Sequence, residues 1–375
     1  MYTYERLGIH GVINACGKMT SLGGSVLSPR VAEAMAMAGT AYVDLEALKE
    51  RASDVIAKWA GAEAAWITSG AAAGVAIMVA ACVAGSDLRR VRRLPDADWE
   101  PRSILIQGGH LIDFGASVEQ MVRIGGGRPV AVGAVNLCTP DTIRSFIDES
   151  TAAVMYVQSH HAVQKGMVSL EEVVAIGHRA GVPVLVDAAA EEDMRRYASA
   201  GADLVVYSGG KSFGGPTSGF IAGRAGLIAC CRVQDRGIAR SMKVSKEAIL
   251  GLLTALELFL DCDDVATRAG QDEIVTALLR GLTGLPHTRL AIVSDEAGRA
   301  IQRVAVSPLA DELGFDAVAL LHDLEAGSPR IVVRGHQANT GILQLDPRPL
   351  KLQDVPVIVD AIRGIYARRL SRATT

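Results

Sequence analysis

Two apolar runs in this sequence end on residues that can do chemistry. "VPVLVDAA" (182–189) closes on an acid, Asp187, and "LVVYSGGK" (204–211) delivers Lys211 behind paired glycines. A third run, "AAWITSGAAAG" (64–74), places Ser69, Gly70 and Ala71 where a strand turns into a helix. The unpaired N–H groups and the dipole of a helix start make such a turn an anion site. Lys211 has two readings. A phosphate loop needs Gly, four residues, then Gly-Lys-Ser/Thr at the start of a helix. Its first glycine would stand at 205, which is Val205, and the following "FGGPTSG" resists a helix through its glycines and Pro216. A phosphate-loop nucleotidase is therefore the outlying alternative.

The other reading is covalent. An acid, a lysine and a phosphate cup on neighbouring strand ends are the parts that pyridoxal phosphate requires. Lys211 then forms the Schiff base, Asp187 keeps the pyridine nitrogen protonated so that the ring accepts electrons, and Ser69, Gly70 and Ala71 hold the phosphate. The glycines beside Lys211 and the small Ser208 give the lysine room to move between linkage and proton transfer. Each feature alone has an ordinary explanation: a helix cap for Asp187, a solvated amine for Lys211, close strand–helix packing for the turn. Their joint occurrence, in this order, points to the cofactor.

The elements that must position these residues are legible as a repeating pattern. Short β-rich runs at 64–68, 103–107, 129–133, 152–158, 182–188, 204–208 and 218–224 alternate with helical patterns, the signature of parallel strands joined by crossover helices. Several runs are apolar nearly throughout, so both sheet faces should be covered: a doubly wound α/β fold with a mostly parallel sheet. Such sheets bind ligands at the carboxyl ends of their strands, where Asp187, Lys211 and the 69–71 turn fall. "SLEEVVAIGHRAG" (169–181) opens on a capping box and closes on glycine. Residues 245–260 read as a long buried helix leading out of this domain. A smaller C-terminal α+β unit follows from about 285, with "RLAIVSD", "RVAVSP", "RIVVRG" and "GILQLD" as strands and "VPVIVDAIRGIYARRL" as a closing helix. The expected division is an N-terminal segment (1–45), a large domain (46–245), and a linking helix with the small domain (246–375).

Bulk properties narrow the function. The chain has 375 residues, 49% of them hydrophobic and 21% charged, with a formal net charge of -3. That describes a globular protein with a large core and no general attraction to nucleic acid or anionic membranes. The expected partner is a small molecule. The uncharged stretch 64–86 is long enough to span a bilayer, but its Ala and Gly content and its "TSG" turn read as a buried strand and helix. The six cysteines form no C-x-x-C pair, so neither a metal site nor a disulfide framework is expected, and reduced cytoplasmic thiols fit. The N-terminus has no apolar secretory segment. The arginine-rich loop 85–102 reads as a solvated surface.

At this point the chain resembles the fold-type I pyridoxal phosphate enzymes of the branch that contains L-seryl-tRNA(Sec) selenium transferase and the D-glucosaminate-6-phosphate ammonia-lyase-like proteins. The resemblance covers nearly the whole chain, through "VINACGKMTSLGGS", "GAEAAWITSGAAAG", "GHLIDFGASVEQM", "VSLEEVVAIGHRAGVPVLVDAAAE", "SGGKSFGGPTSGFIAGR" and "GILQLDPRPL". It implies that Lys211 is the Schiff-base lysine, that Asp187 is the pyridinium partner, and that His110 lies over the cofactor ring. Arg240 and Lys243, in "IARSMKVSK", match the basic pair with which the transferase holds an anionic substrate group. Arg348 in "DPRPL" is a candidate for the substrate carboxylate because an arginine fork suits it, with Arg330 and Arg334 as competitors. The chain departs from the transferases in starting almost directly at "VINACGK", without an RNA-binding domain before it, and in reading "KMTSLGGS" where they read a "TNLGR" type. The second departure favours the lyase branch.

The chemistry expected is an α,β-elimination. Lys211 removes the α-proton of an amino acid, a β-hydroxyl leaves with a proton from His160 or His161 in "YVQSHHAVQ", and hydrolysis releases a 2-keto acid and ammonia. The substrate class is a hydroxylated amino acid, phosphorylated sugar amino acids included. A racemase, an aldolase or a β-replacing transferase would use the same cofactor, and a non-catalytic family member is a further alternative. The resemblance also implies a homodimer or a larger even assembly.

Overall fold

The computed structural model describes residues 2–295 and 299–373. They form two compact units, one of residues Gly24–Asp261 and a smaller one joining the stretch up to Gly23 with the stretch from Cys262 onward. Strand β1 (Val12–Ala15) belongs to the smaller unit. The larger unit contributes β2 (Ala64–Thr68), β3 (Ser103–Gln107), β4 (Arg128–Val132), β5 (Thr151–Val157), β6 (Val184–Asp187), β7 (Leu204–Ser208) and β8 (Gly219–Gly223). They form one seven-stranded sheet in the order β2-β8-β7-β6-β5-β3-β4.

Neighbours from β7 through β4 pair in parallel, whereas β8 runs antiparallel to both β7 and β2. The reversal of β8 follows from its connection. Only residues 209–218 separate it from β7, too few for a crossover helix. Because β8 alone is reversed, the carboxyl ends of β2, β7, β6, β5 and β3 share one edge of the sheet.

Both faces of the sheet are covered, as the unbroken apolar runs require. On one face the Ala71–Ala84 helix packs with Trp66, Ile104, Met155 and Leu185. The stretch that could have been taken for a membrane span is thus a strand, a turn and a helix buried in this core, and among the described residues no helix is long and apolar enough to cross a membrane. Its glycine is needed for the approach: a Cβ at Gly74 would stand 2.3 Å from Val206 Cγ2. The other face carries the Leu45–Ala60 helix and the Leu170–Arg179 helix. The latter has the expected serine N-cap, Ser169 Oγ accepting from Glu172 N at 3.3 Å, while Glu172 Oε2 accepts from the Ser169 hydroxyl (3.1 Å) in place of the backbone N–H of a capping box.

The helix at Lys246–Leu260, expected to lead into the small domain, belongs instead to the larger unit. Its apolar face, including Ile249, Leu252 and Leu256, joins the core on the second sheet face. The N-terminal stretch likewise does not stand apart. In the smaller unit β1 pairs in parallel with β11 (Arg330–Val333), Val12 opposite Arg330. The remaining strands β9 (Thr288–Ser294), β10 (Gln302–Pro308) and β12 (Leu343–Leu345) form an antiparallel sheet in the order β12-β10-β9, packed against the Asp264–Leu282 and Asp354–Ala373 helices.

Candidate active site

Asp187 is the last residue of β6 and is almost fully buried. Its backbone carbonyl accepts from Gln158 N (2.8 Å) just past β5, and its Oδ1 accepts from Ala189 N (3.1 Å). Burial raises the carboxyl above its ordinary value, and the positive charge of Lys211 together with the Ala189 N–H opposes that rise. The acid and the lysine, which the sequence placed on successive strand ends, therefore act on each other electrostatically.

Lys211 follows β7 in a turn closed by Gly214 N donating to Lys211 O. No helix begins there, so the phosphate-loop reading lacks the element it requires. The glycines before the lysine have a packing role that differs from the expectation. A Cβ at Gly209 would stand 2.3 Å from Ser218 Oγ and 2.6 Å from Leu252 Cδ1, so this position is glycine to let the 215–218 turn close, not to give the lysine room. Ser208 is half-buried, and its N–H donates to Ala189 O (3.2 Å), tying the lysine strand to the turn after Asp187.

Ser69, Gly70 and Ala71 sit where β2 turns into the Ala71–Ala84 helix. Gly70 is the N-cap and supplies no side-chain cap, so the first amides of this helix keep the open donors of an anion cup. Thr68 Oγ1 donates to Gly70 O (2.9 Å) and holds the turn.

These features fit pyridoxal phosphate. Asp187 is a buried carboxylate whose own surroundings leave it short of positive charge, which a protonated ring nitrogen supplies. The uncapped helix start suits a phosphate, and a lysine stands on the adjacent strand end.

His110 was expected over the cofactor ring. It follows β3 on the same edge but is fully buried. Val157 N donates to its Nδ1 (3.3 Å), so its Nε2 carries the hydrogen and donates to Gln164 Oε1 (3.2 Å). Its ring meets Tyr156 edge-on, with centroids 4.5 Å apart. Desolvation lowers its pKa to about 4. Its role is to anchor the loop after β5, where Gln164 also accepts from Tyr156 Oη (3.0 Å) and donates to Val157 O (3.1 Å). That loop carries His160, half-buried, and His161, exposed, with ring centroids 3.9 Å apart. His160 thus stands beyond the end of β5, next to the strand that delivers Asp187.

Arg240 and Lys243 are exposed and line a cavity of about 480 Å³ that also reaches Lys49, Trp66, Thr68 and Arg232. Thr68 places this cavity beside the exit of β2, although neither Asp187 nor Lys211 lines it. Arg348 belongs to the smaller unit. Its Nε and Nη2 are engaged by Asp346 Oδ1 (2.9 Å) and Oδ2 (2.8 Å), and Asp346 is held in turn by Arg303 (2.8 Å). The fork edge expected to meet a substrate carboxylate is therefore committed to Asp346, which leaves the Nη1 side. Of its competitors, Arg330 is exposed and Arg334 is buried.

The sequence reading missed two residues that hold the lysine. Ser25 Oγ lies 3.1 Å from the carbonyl oxygens of both Gly210 and Lys211. Gly24 runs so close that a Cβ would stand 2.7 Å from Gly210 O. Their signal was the paired glycine in "SLGGS".

Comparison with known proteins agrees with this geometry. Residues 12–283 match the L-seryl-tRNA selenium transferase family. The D-glucosaminate-6-phosphate ammonia lyase of Salmonella typhimurium is 44% identical over 96% of this chain and 97% of its own. A 5'-C-glycyluridine monooxygenase-decarboxylase from a Streptomyces species is 45% identical over 92% of this chain and 88% of its own. A solved D-glucosaminate-6-phosphate ammonia-lyase superposes with a TM-score of 0.89 at 42% identity, covering 98% of this chain and 99% of that one. The architecture is that of the fold-type I pyridoxal phosphate enzymes.

Proposed function

The chain belongs to the L-seryl-tRNA selenium transferase family, and from that membership we propose that it is a pyridoxal phosphate-dependent ammonia-lyase acting on a phosphorylated sugar amino acid. The observation that carries the reading is the pairing of Asp187 with Lys211 beside the uncapped start of the Ala71–Ala84 helix, in a chain so similar to a lyase of that substrate class.

Bound pyridoxal phosphate supplies an electron sink that stabilises negative charge at the substrate α-carbon. Asp187 holds a proton at the ring nitrogen, and its burial strengthens that pairing. The amides at Ser69, Gly70 and Ala71 hold the phosphate. Lys211 would remove the α-proton as general base. His160 gives a proton to the departing β-hydroxyl, which leaves as water. A second water is taken up when the nitrogen departs, so the net products are a 2-keto acid and ammonia. Arg240 and Lys243 hold the anionic end of the substrate.

The finer assignments rest on indirect support. Six unpaired cysteines suit a cytoplasmic setting. The exposed Val26, Met37, Tyr42 and Val43 suit burial against a second copy in a homodimer or larger even assembly.

The test offers D-glucosaminate 6-phosphate to the loaded enzyme and measures keto acid and ammonia together. Equimolar release supports the reading. The similarity to the Streptomyces enzyme favours a second reading, an oxidative decarboxylation. Oxygen uptake with carbon dioxide release from a glycyl nucleoside, and no ammonia from the sugar acid, would transfer the assignment to it.

A further inference from the structure

The turn after Asp187 is tied to the lysine segment by successive hydrogen bonds. Ala189 N donates to Asp187 Oδ1 (3.1 Å), Ser208 N to Ala189 O (3.2 Å), and Ser212 Oγ to Ala190 O (2.7 Å). The turn thus carries the acid on one side and receives both flanks of Lys211 on the other. It ends at Glu191, whose N–H closes back on Ala188 O (3.0 Å).

Glu191 is buried, and its Oε2 accepts from the hydroxyl of Tyr197 at 2.8 Å, with Tyr197 only 1% exposed. Among the described residues no Lys, Arg or His forms an ion pair with this carboxylate. A buried carboxylate answered by a neutral phenol is a poor stabilising device, because one such bond returns little of the cost of desolvating the charge. It is, however, a directional one. A carboxylate only accepts, so the phenol must donate to it, and Tyr197 is in turn packed near Tyr207 of β7. Tyr207 fixes the loop between them by donating to Asp193 O (3.3 Å) and Met194 O (3.1 Å).

We propose that Glu191 and Tyr197 are positioning residues that lock the 188–191 turn and so set the placement of Asp187 against Lys211 for the cofactor. The pair touches neither substrate nor cofactor. It acts through the turn, and the inference rests on the pyridoxal phosphate reading.

The experiment compares the full-length wild type with Glu191→Ala, Glu191→Gln and Tyr197→Phe. Three quantities are read: pyridoxal phosphate affinity by titration of the cofactor-free protein, the pH midpoint of the bound cofactor's visible band, and thermal stability. Glu191→Ala and Tyr197→Phe should weaken cofactor binding about tenfold, the effect of losing one charge-assisted hydrogen bond, and should displace the midpoint. Glu191→Gln keeps an acceptor for Tyr197 and should recover most of both. Combining Tyr197→Phe with Glu191→Ala should cost little more than either alone. Wild-type affinity and midpoint in Glu191→Ala, or a loss of thermal stability with both unchanged, would reduce the pair to a structural role and overturn the proposal. If Glu191→Ala does not fold, Tyr197→Phe, which removes one oxygen and keeps the ring, decides alone. Failure of the underlying reading looks different: the wild type itself would then take up no cofactor.

Discussion

Ser25 and Lys211 are joined through the backbone, the serine hydroxyl lying 3.1 Å from the lysine carbonyl oxygen and equally close to that of Gly210. The segment that brings Ser25 there needs the left-handed conformation of Gly24 (φ +82°) and tolerates no Cβ against Gly210 O. Ser25→Ala removes one hydrogen bond of about 1 kcal/mol, so kcat should fall about fivefold while the cofactor stays bound. Gly24→Ala combines backbone strain with a clash and should lower the cofactor content of the purified protein. Wild-type kcat and cofactor content in both variants would separate this segment from the lysine's work.

Asp187 sets stability against function in the cofactor-free protein. Burial raises its pKa, so its contribution to folding is complete below the ordinary carboxylate value and is lost as pH rises through the raised one. Above the raised value the buried acid therefore weakens the cofactor-free chain. Asp187→Asn should melt higher than the wild type without cofactor in that range, with the difference shrinking as pH is lowered toward the ordinary carboxylate value. With saturating pyridoxal phosphate the order should reverse, because the amide cannot pair with a protonated ring nitrogen and the ligand's stabilisation falls with its affinity. Melting curves with and without cofactor check both signs. A wild type that melts higher in both states would contradict the assignment.

The readable parts of this site were those where a local pattern breaks. Asp187 ends an otherwise apolar run and Lys211 follows another, so strand ends could be recognised from composition alone. His110 has the same address, but its contacts with Gln164 and Tyr156 were not legible, because the sequence does not place those residues around it. The pairing of β1 with β11 joins residues more than three hundred positions apart. Nothing in either run announces its partner, since each could pair with any parallel neighbour of matching pattern. Gln158, Ser25 and Glu191 act through backbone groups or through one buried partner, and such contacts leave no periodicity to read. The antiparallel β8 was foreseeable from its short connection to β7.

His110 should give the protein an acid limit that is independent of catalysis. Its pKa is lowered to about 4 by burial, so the folded state keeps the ring neutral while the unfolded chain takes up a proton near its ordinary value of 6.5. Stability from this group is full above that ordinary value and is lost as pH falls toward 4, by about 3 kcal/mol over the window. His110→Gln should be less stable at pH 7 but should lose less stability between pH 6.5 and 4. Urea denaturation at several pH values in that window measures the slope, and parallel slopes in the two proteins would refute the account.

Arg240 and Lys243 should determine whether the substrate's anionic end matters. Both line the cavity beside Thr68, where Lys49, Arg232 and Arg236 add positive charge and Glu46 and Asp235 subtract some of it. A phosphate held there gains charge-assisted hydrogen bonds of about 1.5–3 kcal/mol each. Arg240→Ala should therefore raise KM for a phosphorylated sugar amino acid about 10- to 150-fold while leaving kcat within a few-fold, the signature of lost uniform binding. The same variant should barely change KM for the unphosphorylated acid, which has no group to lose. Lys243→Ala should act in the same direction but less steeply, since a lysine meets phosphate as a point charge without a fixed fork. Both losses should shrink at high salt, because exposed cations attract an anion less when they are screened. Steady-state kinetics on the two substrates at low and high ionic strength test this. An equal rise in KM for both substrates would move these residues from phosphate recognition to a general role in the fold of the 234–244 segment.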